Sequence, residues 1–167
     1  FVGMFPDRFR GVAGLPQFMD EPLDLRAIPE LRRCVKEHGF VGCLINPDPT
    51  EGLGDPPGLG EPFWHPLYKA MVELDVPGLI HSAGSCSARE SYTLKFINEE
   101  SIAVVSLLGA RVFDTFPALK IVVAHGGGSN DNPEADAALP PPMRINMAAG
   151  STTDTPFLDC DGLGDCS

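Results

Sequence analysis

Two histidines in this 167-residue chain each close an apolar run and open a loop of small residues. His81 follows the apolar run 76–80, and His125 follows the run 120–124 and precedes three glycines. A neutral imidazole binds divalent metals, and it also transfers protons near neutral pH. Either residue alone could be a structural, hydrogen-bonded histidine, but two at equivalent points of successive units favour a shared site. We therefore predict that the side chains of His81 and His125 converge at one mouth of the fold.

Other polar or reactive residues near the predicted strand ends are weaker candidates. Asn46 could hydrogen-bond a substrate, or it could only close an Asx-type turn. Glycines 126–128 could cradle an anion with backbone N–H groups, but they lack the lysine of a P-loop and the spread glycines of a dinucleotide fingerprint. Cys86 could be a nucleophile or a small polar loop residue, and the sequence assigns no base to it.

The elements that must position these residues alternate between apolar strands and amphipathic helices. The pattern predicts strands over 10–16, 40–45, 76–81 and 120–125, helices over 28–38, 66–75 and 98–108, and a fifth strand over 143–148. In the third helix Asn98 is the predicted N-cap, with Glu99 and Glu100 in the first turn. Continuous apolar strands joined by helices are typical of a parallel sheet covered on both faces. The predicted fold class is therefore α/β, with active-site residues at the carboxyl edge of the sheet.

The composition of the chain argues against several classes of function. Twenty-three acidic against 12 basic residues give a net charge of −11, which argues against a nucleic-acid or anionic-membrane surface. No stretch approaches the roughly 20 apolar residues of a spanning helix, and residues 1–6 lack the features of a signal peptide. Five scattered cysteines without a CxxC pair indicate reduced thiols, so we expect a cytoplasmic protein. Residues 129–167 are acidic and rich in loop-forming residues, which predicts a core domain over 1–128 followed by an irregular tail.

Several blocks spread in order between Phe1 and Gly128 resemble the metal-dependent amidohydrolase-related family that includes aminocarboxymuconate-semialdehyde decarboxylase. These blocks are 5–9, 15–17, 39–42, 46–49, 71–77, 80–82 and 125–128. Within the family they are most similar to the hydratases of protocatechuate and gallate catabolism. The resemblance implies a TIM-like (β/α) barrel, of which four or five βα units are present here, so the chain looks like an internal fragment.

The resemblance also implies a divalent metal, usually Zn²⁺, with His81 as a ligand and His125 as the general acid or base. The substrate would be a small unsaturated keto-dicarboxylic acid to which water is added, and Asn46, Ser82 and Asn98 would contact it. Family members also use an early His-x-His pair and a late carboxylate as ligands. No His-x-His occurs in this chain, so we expect it to be inactive by itself.

Two alternatives to the hydratase remain. The same fold and histidines could serve a decarboxylase or a C–C hydrolase that acts on a related acid. The chain could also be a non-catalytic half-barrel, because an open parallel sheet leaves an edge strand that favours association. A homo-oligomer is accordingly a second candidate partner, beside the small-molecule substrate.

Overall fold

The computed structural model describes residues 1–83 and 92–127, together with the backbone of a two-residue strand at 146–147. Four parallel strands form one sheet in their order along the chain: β1 (Cys43–Ile45), β2 (Gly78–Ile80), β3 (Ile121–Val123) and β4 (Asn146–Met147). Cys43 pairs with Gly78, and Gly78 with Ile121, so the first residues of three strands lie side by side. The residues that follow these strands therefore meet at the same edge of the sheet.

The helices of the described residues are α1 (Ala27–His38), α2 (His65–Leu74), α3 (Tyr92–Gly109) and α4 (Val112–Thr115). A turn of 3-10 helix, Pro62–Trp64, leads into α2. Gly39 ends α1 with φ of 65°, a left-handed conformation that glycine adopts without a Cβ penalty. The helices predicted over 28–38 and 66–75 are confirmed to within one residue at each end. None of these helices combines the length and the apolar character that crossing a membrane requires.

The start of α3 corrects one prediction. The helix begins at Tyr92, so Asn98 lies in its second turn and is not an N-cap. Glu99 and Glu100 are accordingly inside the helix rather than in its first turn. The preceding residues 94–97 include Leu and Lys, both good helix formers, which allow the helix to continue past the capping signal towards its N-terminus.

Four of the five predicted strands are confirmed, each as a shorter element. The strand predicted over 10–16 is reduced to one residue, Ala13, which forms a parallel bridge with Cys43. The strand predicted over 143–148 occurs as β4, which pairs with β3. Sequential parallel strands connected by helices are the repeating unit of a (β/α) barrel, and the fold is α/β and part of a TIM-like barrel. Apart from β4, the predicted tail lies outside the described residues, so the domain boundary after Gly128 stays a prediction.

One apolar core joins the strands to the helices. Its largest fully buried side chains include Trp64, Tyr68, Leu31, Leu67, Met71 and Leu107. The indole N–H of Trp64 donates to the Pro57 carbonyl oxygen at 2.9 Å, and the Tyr68 hydroxyl donates to the Leu59 carbonyl oxygen at 2.6 Å. Burial also raises the pKa of the Tyr68 phenol. These two bonds connect the long loop after β1 to the 3-10 turn and to α2.

Candidate active site

His81 directly follows β2 at the carboxyl edge of the sheet. Its backbone N–H donates to the Ile45 carbonyl oxygen at 3.1 Å, which extends the parallel ladder by one residue. Its ring Nδ1 lies 2.8 Å from the Ser82 carbonyl oxygen. Because a carbonyl oxygen only accepts, Nδ1 carries a proton, and in the neutral ring Nε2 then presents a lone pair. Metal-binding histidines have this arrangement, in which the second ring nitrogen donates to a carbonyl or a carboxylate.

His125 lies at the equivalent point after β3 and is paired with an acidic residue. Its Nδ1 lies 2.9 and 3.1 Å from the two carboxylate oxygens of Glu100. The Glu100 side chain is fully buried, whereas the His125 side chain is 42% exposed. In the neutral ring, donation from Nδ1–H to the carboxylate again leaves the lone pair on Nε2. Glu100 is not among the predicted site residues, because its sequence context indicates the solvated first turn of a shorter helix.

The two imidazoles converge, as predicted. The ring centroids of His81 and His125 are 4.8 Å apart, with the planes tilted by 59°. Phe96 of α3 contacts both rings, with centroid separations of 6.0 Å to His81 and 5.6 Å to His125. Phe96 and Glu100 are four residues apart on the helix, so one face of α3 supports both histidines. The metal-ligand and acid–base roles assigned to the two histidines remain predictions.

The backbone at His125 is strained. His125 has φ of 49°, and Gly126 and Gly127 follow with φ of 71° and 88°. A non-glycine residue in this left-handed region costs on the order of 1–3 kcal/mol, and such residues cluster at functional sites. The Gly127 N–H donates to the Ala124 carbonyl oxygen at 2.9 Å, so this amide is not available to an anion. Gly128, the remaining glycine of the predicted anion cradle, lies outside the described residues.

Asn46 connects the ends of β1 and β2. Its Oδ1 accepts hydrogen bonds from the backbone N–H groups of Asp48, at 3.2 Å, and Ala83, at 3.3 Å. Its own backbone N–H donates to Gln17 Oε1 at 3.1 Å. The Asx-type turn, one of the two interpretations of Asn46, is therefore present and uses the side-chain oxygen. Contact with a substrate through the side-chain amide group stays a prediction.

The remaining candidate residues are Ser82, Asn98 and Cys86. Ser82 is 2% exposed, and its hydroxyl lies 3.4 Å from the Phe96 carbonyl oxygen in α3. Asn98 lies two residues from both Phe96 and Glu100, and residues two apart on a helix occupy different faces. The substrate contact predicted for Asn98 stays a prediction. Cys86 lies outside the described residues.

Two candidate nitrogen donors for a metal lie at this mouth. His81 and His125 offer two Nε2 atoms, whereas a catalytic zinc site uses three protein ligands. Within residues 1–83 and 92–127, no three His, Cys, Asp or Glu side chains lie close enough together to hold one ion. Any remaining ligands of the predicted metal would therefore have to come from outside the described residues.

The comparisons with known proteins agree with this fold. The chain belongs to the amidohydrolase family, whose model matches residues 1–150. It is 43% identical over 129 residues to 2-keto-4-carboxy-3-hexenedioate hydratase of Sphingobium sp. (strain NBRC 103272 / SYK-6), an alignment that covers 77% of this chain and 38% of that protein. The crystal structure of 4-oxalomesaconate hydratase from Rhodopseudomonas palustris is 39% identical, with a TM-score of 0.66 over 76% of this chain and 36% of that chain.

Decarboxylases are also similar to this chain. The crystal structure of dihydroxybenzoic acid decarboxylase from Polaromonas sp. JS666, with bound manganese and the inhibitor 2-nitroresorcinol, is 34% identical. Its TM-score is 0.62, over 76% of this chain and 40% of that chain. The chain spans about two fifths of the length of the curated relatives it matches. The predicted family is confirmed, and these relatives are enzymes, some of which bind a divalent metal.

Proposed function

We propose that this chain forms part of the active site of a metal-dependent hydro-lyase, which adds water to an unsaturated keto-dicarboxylic acid of the 4-oxalomesaconate type. The pair of imidazoles carries this proposal. The ring centroids of His81 and His125 lie 4.8 Å apart, and each Nδ1 has an acceptor, so that each ring, when neutral, presents a lone pair on Nε2. The similarity to two hydratases supports hydration as the reaction.

Each residue has a definite task in this proposal. His81 would bind Zn²⁺ or another divalent metal, such as the manganese of the similar decarboxylase, through Nε2. Its bond to the Ser82 carbonyl would fix the ring. When bound, the metal supplies Lewis-acid polarisation and activation of water. His125 would hold or accept the proton at Nε2, and Asn46 would orient the substrate through its amide nitrogen.

Decarboxylation of a related acid is the second candidate function, favoured by the similarity to decarboxylases that act on aromatic carboxylic acids. The same two histidines would serve it, as they would a C–C hydrolase. A non-catalytic half-barrel is the third candidate, since among the described residues no full strand pairs with the outer side of β1, where Ala13 forms a single bridge and the Gln17 side chain donates to the Leu44 carbonyl oxygen. A cytoplasmic location and a homo-oligomer remain predictions.

The test is a segment exchange in the hydratase from Rhodopseudomonas palustris, in which residues 1–127 of this chain replace the matching segment. With Zn²⁺ or Mn²⁺ supplied, we expect the hybrid to hydrate 4-oxalomesaconate. The H125N variant should lower kcat about 100-fold or more, which is typical of a lost general acid or base. The H81N variant should lower the metal bound per chain. H38Q, a change at an exposed histidine at the end of α1, is the matched control and should alter neither quantity.

Each other outcome points to a different function. A hybrid that decarboxylates 2,6-dihydroxybenzoate but does not hydrate 4-oxalomesaconate would replace hydration with the second candidate. A hybrid with native circular dichroism that binds no metal and has neither activity would contradict both enzymatic proposals. The 167-residue chain alone should not turn over 4-oxalomesaconate in the presence of zinc. Robust turnover would show that its ligand set has been misread.

A further inference from the structure

Glu100 is a carboxylate in a position suited to an apolar residue. On α3 it begins the buried stripe that continues with Ala103, Val104 and Leu107, at the i, i+3, i+4 and i+7 positions of one helix face. Its side chain is 0% exposed. Burying a carboxylate costs free energy unless it is hydrogen-bonded, and replacing a buried ion pair with apolar side chains is often neutral or stabilising. Packing alone therefore does not account for an acid here.

The carboxylate is explained by the imidazole that it contacts. Both of its oxygens lie within 3.1 Å of His125 Nδ1. An acceptor at this distance holds the proton on Nδ1 and restricts rotation of the ring. Without such an acceptor, a neutral histidine side chain favours the other tautomer, with the proton on Nε2. That tautomer has no lone pair on Nε2 with which to accept a proton or bind an ion.

We propose that Glu100 is a positioning residue, which holds His125 as the Nδ1–H tautomer with Nε2 directed away from α3. The catalytic value of this arrangement rests on the proposed function, whereas the tautomer itself does not. His81 has the same tautomer, but its acceptor is a main-chain carbonyl oxygen that no side-chain substitution removes. The acceptor of His81 thus belongs to the main chain and that of His125 to a side chain. A substitution of Glu100 should therefore change the tautomer of His125 alone, and His81 is the reference within the same molecule.

The experiment determines the tautomers of both rings in the ¹⁵N-labelled 167-residue chain by long-range ¹H–¹⁵N NMR. It is done in metal-free buffer at about pH 8.5, where an ordinary imidazole is neutral. In the wild type we expect Nδ1–H at both His81 and His125. In E100L, His125 should change to predominantly Nε2–H while His81 keeps Nδ1–H. E37L, at an exposed residue of α1, is the matched control and should change neither ring.

A second variant keeps the test valid if E100L does not fold. E100Q retains an oxygen that can accept from Nδ1–H but also offers a competing donor, so we expect a mixture of the two tautomers at His125. Circular dichroism and the fluorescence of the buried Trp64 verify the fold of each variant. A wild-type His125 in the Nε2–H form, or folded E100L and E100Q chains in which Nδ1–H persists unchanged, would overturn the proposal.

A second readout separates this inference from the proposed function. In the segment-exchange hydratase, E100L should lower kcat about 10–100-fold, in the range that supporting residues of metal sites contribute, and leave the bound metal unchanged. A hybrid without hydratase activity, combined with the expected tautomers, would contradict the proposed function and still support the positioning by Glu100. Active hybrids whose kcat is the same with Glu100 or Leu at this position would refute the catalytic value of the positioning.

Discussion

The turn after β1 depends on one buried carboxylate, and its removal should measurably destabilise the chain. Asp48 is 7% exposed. Its Oδ1 accepts hydrogen bonds from the Thr50 N–H at 2.8 Å and the Thr50 hydroxyl at 2.6 Å, and its Oδ2 accepts one from the Gly52 N–H at 2.6 Å. Its own N–H donates to Asn46 Oδ1, which connects this turn to the candidate active site. We expect D48A to lower the free energy of unfolding.

The magnitude follows from these three bonds. A hydrogen bond to a charged group contributes roughly 1.5–3 kcal/mol net, but Gly52 is exposed and water can replace its bond. We therefore expect a loss of about 2 kcal/mol in D48A rather than the full sum. D48N should lower the free energy of unfolding by about 1 kcal/mol. The remaining amide oxygen still accepts from Thr50, but the new NH₂ group cannot accept a hydrogen bond from the Gly52 N–H.

Urea unfolding measures this loss through the fluorescence of Trp64. It is the single tryptophan of the chain, it is fully buried, and its indole donates to the carbonyl of Pro57 in the same loop. With a urea dependence of roughly 2 kcal/mol per M, the D48A midpoint should fall by about 1 M. Circular dichroism should give the same midpoint, as two-state unfolding requires.

The matched control for D48A is an exposed acid in the same loop. Asp55 lies seven positions after Asp48, and D55A should stay within about 0.5 kcal/mol of the wild type. If D48A and D55A unfold at the same urea concentration, then the Asp48 carboxylate does not hold this turn, and the assignment of its hydrogen bonds to stability is wrong.

Three further changes test the packing of the core and of the loop before α2 by the same urea assay. G60A should lower the free energy of unfolding by about 1–3 kcal/mol, because a Cβ would lie 2.6 Å from the Ala110 Cβ and against a helix carbonyl. G14A adds a Cβ in open space and should lower it much less. Equal losses in the two variants would refute this clash. Y68F should lower the free energy of unfolding by about 1–2 kcal/mol, because the Leu59 carbonyl oxygen loses its hydroxyl donor. A Y68F variant as stable as the wild type would contradict this. Burial raises the pKa of the Cys43 thiol to about 12 in the folded chain, whereas a thiol in the unfolded chain has a pKa of about 8.5. The protonated thiol therefore contributes its full stabilisation below about pH 8.5, and this contribution is lost as the pH rises towards 12. Between pH 8 and pH 10.5 the wild type should therefore lose about 2 kcal/mol more than C43A, and parallel pH profiles would exclude this thiol as the cause.

Local sequence patterns were sufficient for the fold class and for the meeting of the two histidines. Each histidine follows a short apolar strand, and parallel strands in register bring the residues after them to one edge. The prediction required only that the two strands be neighbours in the sheet, and consecutive βα units place their strands side by side. It also predicted the helices α1 and α2, where apolar periodicity and a glycine or proline agree on the limits.

The same patterns failed on α3. Asn followed by two acids is typical of a helix start, but here it lies inside a helix. The error concealed Glu100, because an acid in a first turn is expected to be solvated, whereas an acid on the buried face must have a partner. The same error assigned the N-cap to Asn98, which lies in the second turn of the helix.

The sequence alone determined which residues end the strands, since strand propensity and apolar runs are properties of neighbouring residues. Only the tertiary structure decided which side chain of α3 contacts which imidazole. That pairing joins residues 25 positions apart and depends on how the apolar stripe of α3 packs against the core. A rotation of the helix by one residue, about 100°, would move the carboxylate away from His125, and local propensities place no constraint on this angle.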